Sequence, residues 1–245
     1  MKSEILYGVH PVQEAIRAGR RKILHLYIGE GKETGRRLAG LLQEAEASGS
    51  PVSRLSAQRL QAMTGSTAHQ GVAATVSPYP FASFAELTPR SGQPPFLLLL
   101  DGIQDPHNLG AISRTALSVG VDGIILPKDR SATPTPAVSK ASAGAVEHLP
   151  VARVTNLART LETLRKRGVW SYGLEQNASQ SLFSSDLRGP MALVVGAEGK
   201  GLRRLVGERC DGSVAIPQLG PVSSLNASVA AGVTLYEAFR QRHGL

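Results

Sequence analysis

Three stretches of the 245-residue chain hold side chains that could grip a charged ligand and activate a weak nucleophile. In the first, Asn108 and Arg114 frame N-x5-R behind the apolar run Leu97–Leu100. In the second, Leu193-Val194-Val195 empties into Gly196-Ala197-Glu198-Gly199-Lys200-Gly201, three glycines around one carboxylate. The third runs Ile216-Pro217-Gln218 and, after a short loop, Ser223-Ser224-Leu225-Asn226. Glycines in such a loop admit main-chain amides to a ligand and tolerate positive φ. A guanidinium, a carboxylate, carboxamides and hydroxyls can then orient the ligand and stabilise charge that develops on it. Each also has a plainer use. Asn108, Ser224 and Asn226 are favoured helix caps, and Glu198 could pair with Lys200 or Arg203.

The elements needed to bring these stretches together are legible around them. Strands are predicted at Phe96 to Leu100, Gly123 to Leu126, Val151 to Val154, Trp170 to Gly173, Ala192 to Gly196 and Ser213 to Ile216, alternating with helical patterns as in parallel α/β proteins. Asn108 is expected at a helix start, after Pro106 has stopped the strand. Three strand ends delivering Asn, Arg, Glu and Ser to one edge is the arrangement of an α/β active site. A helix from Leu157 to Gly168 ends in Arg165, Lys166 and Arg167, which complement its dipole. Upstream, residues 1–77 read as a compact α/β unit: helices Pro11 to Ala18, Thr34 to Ala47 and Ala57 to Met63, with strands Ile23 to Ile28, Val52 to Leu55 and Gly71 to Val76. Pro- and Ser-rich residues 78–95 read as a linker, and residues 96–245 as the second domain.

Taken jointly, N-x5-R, G-x-E-G-x-G and I-P-x5-S-S-L-N-x-S-x-A resemble the three motifs of the SpoU/TrmH class of SPOUT methyltransferases. The resemblance implies a C-terminal trefoil-knotted parallel-sheet domain that binds S-adenosylmethionine and methylates a ribose 2′-hydroxyl of RNA. It makes Asn108, Arg114, Glu198, Ser224 and Asn226 the catalytic group and Gly196, Ile216, Gln218 and Leu225 the cofactor-binding group. Pro221 and Ala227 depart from the third motif, where Ser and Val are more usual. The segments Leu6 to Ala15 and His69 to Val72 resemble the L30e-like substrate-binding domain of large-subunit rRNA guanosine 2′-O-methyltransferases. That implies a guanosine in the peptidyl-transferase region of 23S rRNA, Arg17, Arg20, Arg21 and Lys22 as RNA contacts, and a homodimer formed through the C-terminal domain. Arg114 is the residue most closely tied to the acceptor hydroxyl. A guanidinium is a poor proton acceptor, so its expected role is to grip phosphate and stabilise the oxyanion, oriented by Asn108 and Glu198.

Composition agrees with this reading and trims the alternatives. With 27 Lys or Arg against 19 Asp or Glu, the chain carries a formal charge of +8, which favours a polyanionic partner. Cys210 is the only cysteine, so an intrachain disulfide framework is excluded, and the six histidines lack metal-site spacing. There is no secretion-type h-region and no apolar run near the ~20 residues of a membrane span, so a cytoplasmic location without membrane or metal is expected. A nucleotide-phosphate site lacks its glycine pattern, since Val194 and Gly201 break the Walker motif. A catalytically silent RNA-binding or ribosome-assembly factor of the same fold, and a 2′-O-methyltransferase acting on tRNA or an rRNA adenosine, remain open.

Overall fold

The computed structural model describes residues 2–31, 36–87, 94–220 and 224–245. It forms two compact units, residues 1–80 with 134–148 and residues 81–133 with 149–245. In the first unit, β1 (Glu4–Tyr7), β2 (Ile23–Gly29), β3 (Val52–Leu55) and β4 (Val72–Val76) lie in the order β1-β4-β2-β3. Strand β4 is antiparallel to β1 and β2, and β3 is parallel to β2. The helices are α1 (Val9–Ala18), α2 (Arg36–Ala47) and α3 (Ala57–Thr64). Helix α1 starts two residues before Pro11, which fits in a first turn where its missing N–H leaves no bond unmade. It ends at Gly19, whose φ of 62° lets the N–H turn back to Ala15 and Ile16. Val12 and Ala15 pack with Leu41 and Ala45 of α2 over Leu26, Ile28, Val72, Ala74 and Val76, the period-2 and helical stripes meeting in one core. Strand β1 has no counterpart in the sequence reading, and the first two residues of the helix predicted from Thr34 lie outside the described residues.

From residue 96 the elements are β5 (Phe96–Asp101), α4 (Pro106–Ser118), β6 (Gly123–Pro127), α5 (Pro136–Ala141, part of the first unit), β7 (Val151–Val154), α6 (Leu157–Lys166), β8 (Trp170–Leu174), β9 (Met191–Gly196), α7 (Arg204–Gly207), β10 (Gly212–Val214) and α8 (Ala227–His243). The six strands are all parallel, in the order β10-β8-β9-β5-β6-β7. Helices cover a parallel sheet, so its middle strands are apolar throughout, and every residue of β5 is buried. Leu97 and Leu99 face Leu157, Leu161 and Leu164 of α6, while α4 and α8 pack against each other. From β5 the chain proceeds outward through β6 and β7, whereas β8 and β10 lie beyond β9. The order reverses between β5 and β9, and the carboxyl ends there are where an open α/β sheet places its ligand.

Two segments depart from the composition-based division. Within 78–95, residues 81–87 are fixed to the second unit: Ala82 N donates to Val151 O at 2.9 Å, and Leu87 is buried in the core. Leu87 also leaves no room for a Cβ at Gly123, with 2.6 Å separating its methyl from that position. Apolar anchoring by Leu87 thus overrides the Pro- and Ser-rich linker character, while residues 88–93 lie outside the described residues. Residues 134–148 belong with the N-terminal elements although the sequence reading put them in the second domain. Helix α5 packs on β1 and the 3-10 turn Ala145–His148 packs on α1. Gly144, at φ 88°, lies so close to Glu14 that a Cβ would come within 2.6 Å of it.

Candidate active site at the carboxyl edge of the parallel sheet

Helix α4 is capped by Asp105, not by Asn108: the Asp105 carboxylate accepts from His107 N at 2.9 Å, and Pro106 occupies the first turn. Released from capping, Asn108 turns to the glycine loop after β9. Its Nδ2 makes a long 3.5 Å contact with Glu198 Oε2, and its Oδ1 accepts from Asn226 Nδ2 at 3.1 Å. Asn226 is both cap and site residue. Its Oδ1 accepts from Ser228 N at 2.9 Å and Val229 N at 3.4 Å, while its Nδ2 also donates to Glu198 Oε2 at 3.1 Å. Three residues from three separate strand ends, 90 and 28 positions apart from Glu198 in the chain, are thereby joined.

Among the described residues Glu198 makes no ion pair with Lys200, Arg203 or any other cation. Arg203 is taken by Asp101, whose fully buried carboxylate accepts from Arg203 Nε at 2.6 Å and Arg203 N at 2.8 Å. That pair supplies the counter-charge a buried carboxylate needs and pins the glycine loop to the end of β5. The loop closes on itself through Ala197 N to Gly201 O at 3.1 Å and Gly201 N to Ala197 O at 2.8 Å. A Cβ on Gly196 would lie 2.2 Å from the Gly201 carbonyl carbon. Gly196 is therefore required by the loop's own closure, in addition to lying where a ligand is expected to approach.

Two cavities flank this loop and share Ala197, Glu198 and Gly201 as a wall. The smaller, of about 270 Å³, contains all four residues expected to bind cofactor, Gly196, Ile216, Gln218 and Leu225, together with Ser224 and Glu175. The larger, of about 560 Å³, opens over the ends of β9, β5 and β6 and includes Asn108, Asp129 and Arg130. Asp129 and Arg130 were not singled out from sequence. A charged pair just past a strand end of a parallel sheet was the available signal. Pro221 lies outside the described residues, and Ala227 is the buried first residue of α8.

Arg114 is not brought to this group. It lies six residues beyond Asn108, about 240° round the helix, and is exposed. Among the described residues its guanidinium has no hydrogen-bond or ion-pair partner, so Asn108 and Glu198 orient each other and Asn226 rather than Arg114. The basic cluster of the first unit is also rearranged. Arg21 is not a free RNA contact: its side chain is 1% exposed, 2.7 Å from Glu4 Oε2 and 3.2 Å from Glu147 Oε2. Burial raises the Glu147 carboxyl, and Arg21 opposes that rise. Arg20 donates to the Tyr79 hydroxyl at 3.0 Å and Pro80 O at 3.1 Å, and Arg17 pairs with Glu44 at 2.8 Å and Glu14 at 2.9 Å. Lys22 is exposed. Burial pushes the Cys210 thiol up to about 12, leaving it a packing group. Among the described residues no cluster of His, Cys, Asp and Glu is arranged to hold a metal, and no helix is long and apolar enough to cross a membrane.

Comparison with known proteins places this geometry in context. Residues 95–236 match the SpoU rRNA Methylase family, and residues 5–82 match the RNA 2′-O ribose methyltransferase substrate binding family. The chain is 46% identical over 242 residues to the 23S rRNA (guanosine-2′-O-)-methyltransferase RlmB of Pseudomonas putida, covering 98% of this chain and 97% of that protein. Among solved structures it resembles the SpoU methyltransferase AviRb of Streptomyces viridochromogenes in complex with AdoMet, with a TM-score of 0.83 and 26% identity over 99% of this chain and 92% of that one. An AdoMet-bound rRNA methyltransferase from Sinorhizobium meliloti gives a TM-score of 0.82 at 27% identity, over 99% of this chain and 88% of that one.

Proposed function

The chain belongs to the SpoU rRNA methylase family, and from that premise we propose that it methylates the 2′-hydroxyl of a guanosine in the peptidyl-transferase region of 23S rRNA. The reaction class is S-adenosylmethionine-dependent RNA 2′-O-methyl transfer. One observation carries the site assignment: Asn108 and Asn226 are hydrogen-bonded to each other and meet at Glu198, which stands on the wall shared by the two cavities. The smaller cavity suits the cofactor, because Leu174, Val195 and Ile216 offer apolar surface to an adenine while the carboxylates of Glu175 and Glu198 face a cationic sulfonium favourably. Gly196, Ile216, Gln218 and Leu225 would hold it, and when bound it supplies an electrophilic methyl group.

The chain's own work is positional. Two carboxamides meet one oxygen of Glu198, and the other has no partner among the described residues and can hold the ribose, so the hydroxyl is held in line rather than strongly activated. Ser224 completes the floor. Arg114, exposed and without a side-chain partner among the described residues, is suited to grip an RNA phosphate as a planar fork, and a phosphate oxygen or water takes the proton. The C-terminal trefoil knot belongs to the same reading, supported by the strand order and by the likeness to the solved methyltransferases. A cytoplasmic site of action follows from the rRNA substrate.

A homodimer completes the proposal. On α8, Val229 and Tyr236 are more than half exposed, and a Cβ added at Gly232 between them would meet nothing. Ala111 is exposed on the neighbouring α4. A second copy would cover this apolar strip. Mapping 2′-O-methyls in 23S rRNA from a deletion strain tests the function. Loss of one methylguanosine in the peptidyl-transferase region, restored by the intact gene, is expected. An unchanged rRNA map with a missing tRNA methyl would move the substrate to tRNA, and binding of rRNA with no methyl lost anywhere would favour a silent assembly factor.

A further inference from the structure

The larger cavity is left without an occupant by the cofactor assignment. It shares Glu198 with the cofactor cavity and has Asn108 on its own wall, so whatever fills it lies beside the proposed site of methyl transfer. Its walls come from the loops after β5, β6 and β9 and are held in place by bonds to main-chain carbonyls. Ala132 N donates to Ile103 O at 2.7 Å, Lys128 N donates to Val154 O at 2.9 Å, and Arg153 Nη2 donates to Lys128 O at 2.7 Å. Arg130 sits at φ 56°, a left-handed conformation that L side chains rarely adopt, and the surrounding bonds keep it there.

The carboxylates around the cavity are not equivalent. Asp101 gives both oxygens to Arg203, Asp105 caps α4, and Glu198 receives two carboxamides on one oxygen. Asp129 alone among them makes no hydrogen bond or ion pair within the described residues. Of the lining cations, Arg203 is engaged by Asp101, while Arg130 and Lys200 have no such partner among the described residues. A free carboxylate in a pre-formed pocket, with free cations at the same wall, matches a guanosine. The N1–H and N2 amino group of guanine form a donor pair that a carboxylate accepts together, and the flanking phosphate needs a cation. Adenine presents an acceptor at N1 and would be repelled.

We propose that the cavity over the ends of β9, β5 and β6 receives the acceptor guanosine, with Asp129 reading the N1–H and N2 edge of the base and Arg130 holding the adjoining phosphate. This rests on the guanosine 2′-O-methyltransferase reading above. Single-stranded RNA bases are commonly read on this edge once they are unstacked.

The test uses the full-length protein and a synthetic rRNA fragment spanning the mapped target, carrying guanosine, inosine or adenosine at that position. Affinity is measured without cofactor, and methyl transfer with it. Wild type should prefer guanosine to inosine by roughly tenfold, since inosine lacks only the N2 amino group. Asp129→Ala and the isosteric Asp129→Asn should bind and methylate the guanosine fragment about 10- to 100-fold less well. In Asp129→Ala the guanosine–inosine difference should vanish, while S-adenosylmethionine affinity stays at the wild-type level. Equal use of guanosine and inosine by wild type, or a guanosine preference that survives in Asp129→Ala, would overturn the assignment. Those outcomes leave 2′-O-methylation by wild type intact, whereas failure of wild type to methylate any guanosine ribose removes the underlying function and this inference with it.

Discussion

Asn226 concentrates two jobs in one carboxamide, and substitutions can separate them. Its Oδ1 caps α8 while its Nδ2 holds Asn108 and Glu198. Asn226→Asp keeps a capping oxygen but turns an acceptor toward the Glu198 carboxylate, so kcat/KM should fall roughly 100-fold with little change in Tm. Asn226→Ala loses both functions and should cost about 1 kcal/mol of stability as well. Parallel kinetics and thermal denaturation distinguish the two. Arg114 poses a different question, because no side-chain hydrogen bond or ion pair among the described residues fixes it. Arg114→Lys keeps the charge and loses the fork, so it should be nearly as inactive as Arg114→Ala while folding normally. Activity of the Lys variant within a few-fold of wild type would show that a point charge suffices. The motif residues were legible because each sits directly after an apolar strand. Which one caps and which one reaches across was not, since Asn, Asp and Ser all suit both uses.

At the scale of elements, the sequence pattern placed β3 and β7 at their observed bounds and extended or shortened other strands by one or two residues. It missed β1, a four-residue strand at the edge of the first sheet, and α5, a six-residue helix too short to show a helical period. Charge misled at Arg21. A basic run reads as a solvated face, yet burial of this guanidinium is decided by Glu4 and Glu147, the latter 126 positions away in the chain. Arg21→Ala should leave Glu147 buried without its counter-charge and destabilise the protein by about 3–5 kcal/mol. Lys22→Ala should leave stability unchanged and weaken RNA binding modestly, with a smaller salt dependence. Urea denaturation and RNA titrations at two salt concentrations check both. Equal stability of the two variants would show that the Arg21 pairing is unimportant to the fold.

For the whole molecule, the two units are not the two halves of the chain, because residues 134–148 complete the first unit. A fragment beginning at Phe96 would uncover Val138, Val146 and Glu147, all now buried. It should be less stable than the intact chain, so the contribution of residues 1–77 to RNA affinity is better measured with surface variants than by truncation. Homodimerisation through α8 predicts that light scattering at micromolar concentration gives twice the monomer mass, and that Tyr236→Glu shifts the protein toward monomer. A monomeric wild type with activity independent of dilution would remove the dimer. The central claim is that the acceptor is a ribose hydroxyl held beside Glu198. Its most direct test compares two rRNA fragments differing only at the target guanosine, one with a 2′-hydroxyl and one 2′-deoxy, incubated with the full-length protein and labelled S-adenosylmethionine. Equal binding of both, with label transferred to the hydroxylated fragment alone, is the expected result; label entering the deoxy fragment would place the methyl on a base and contradict the account.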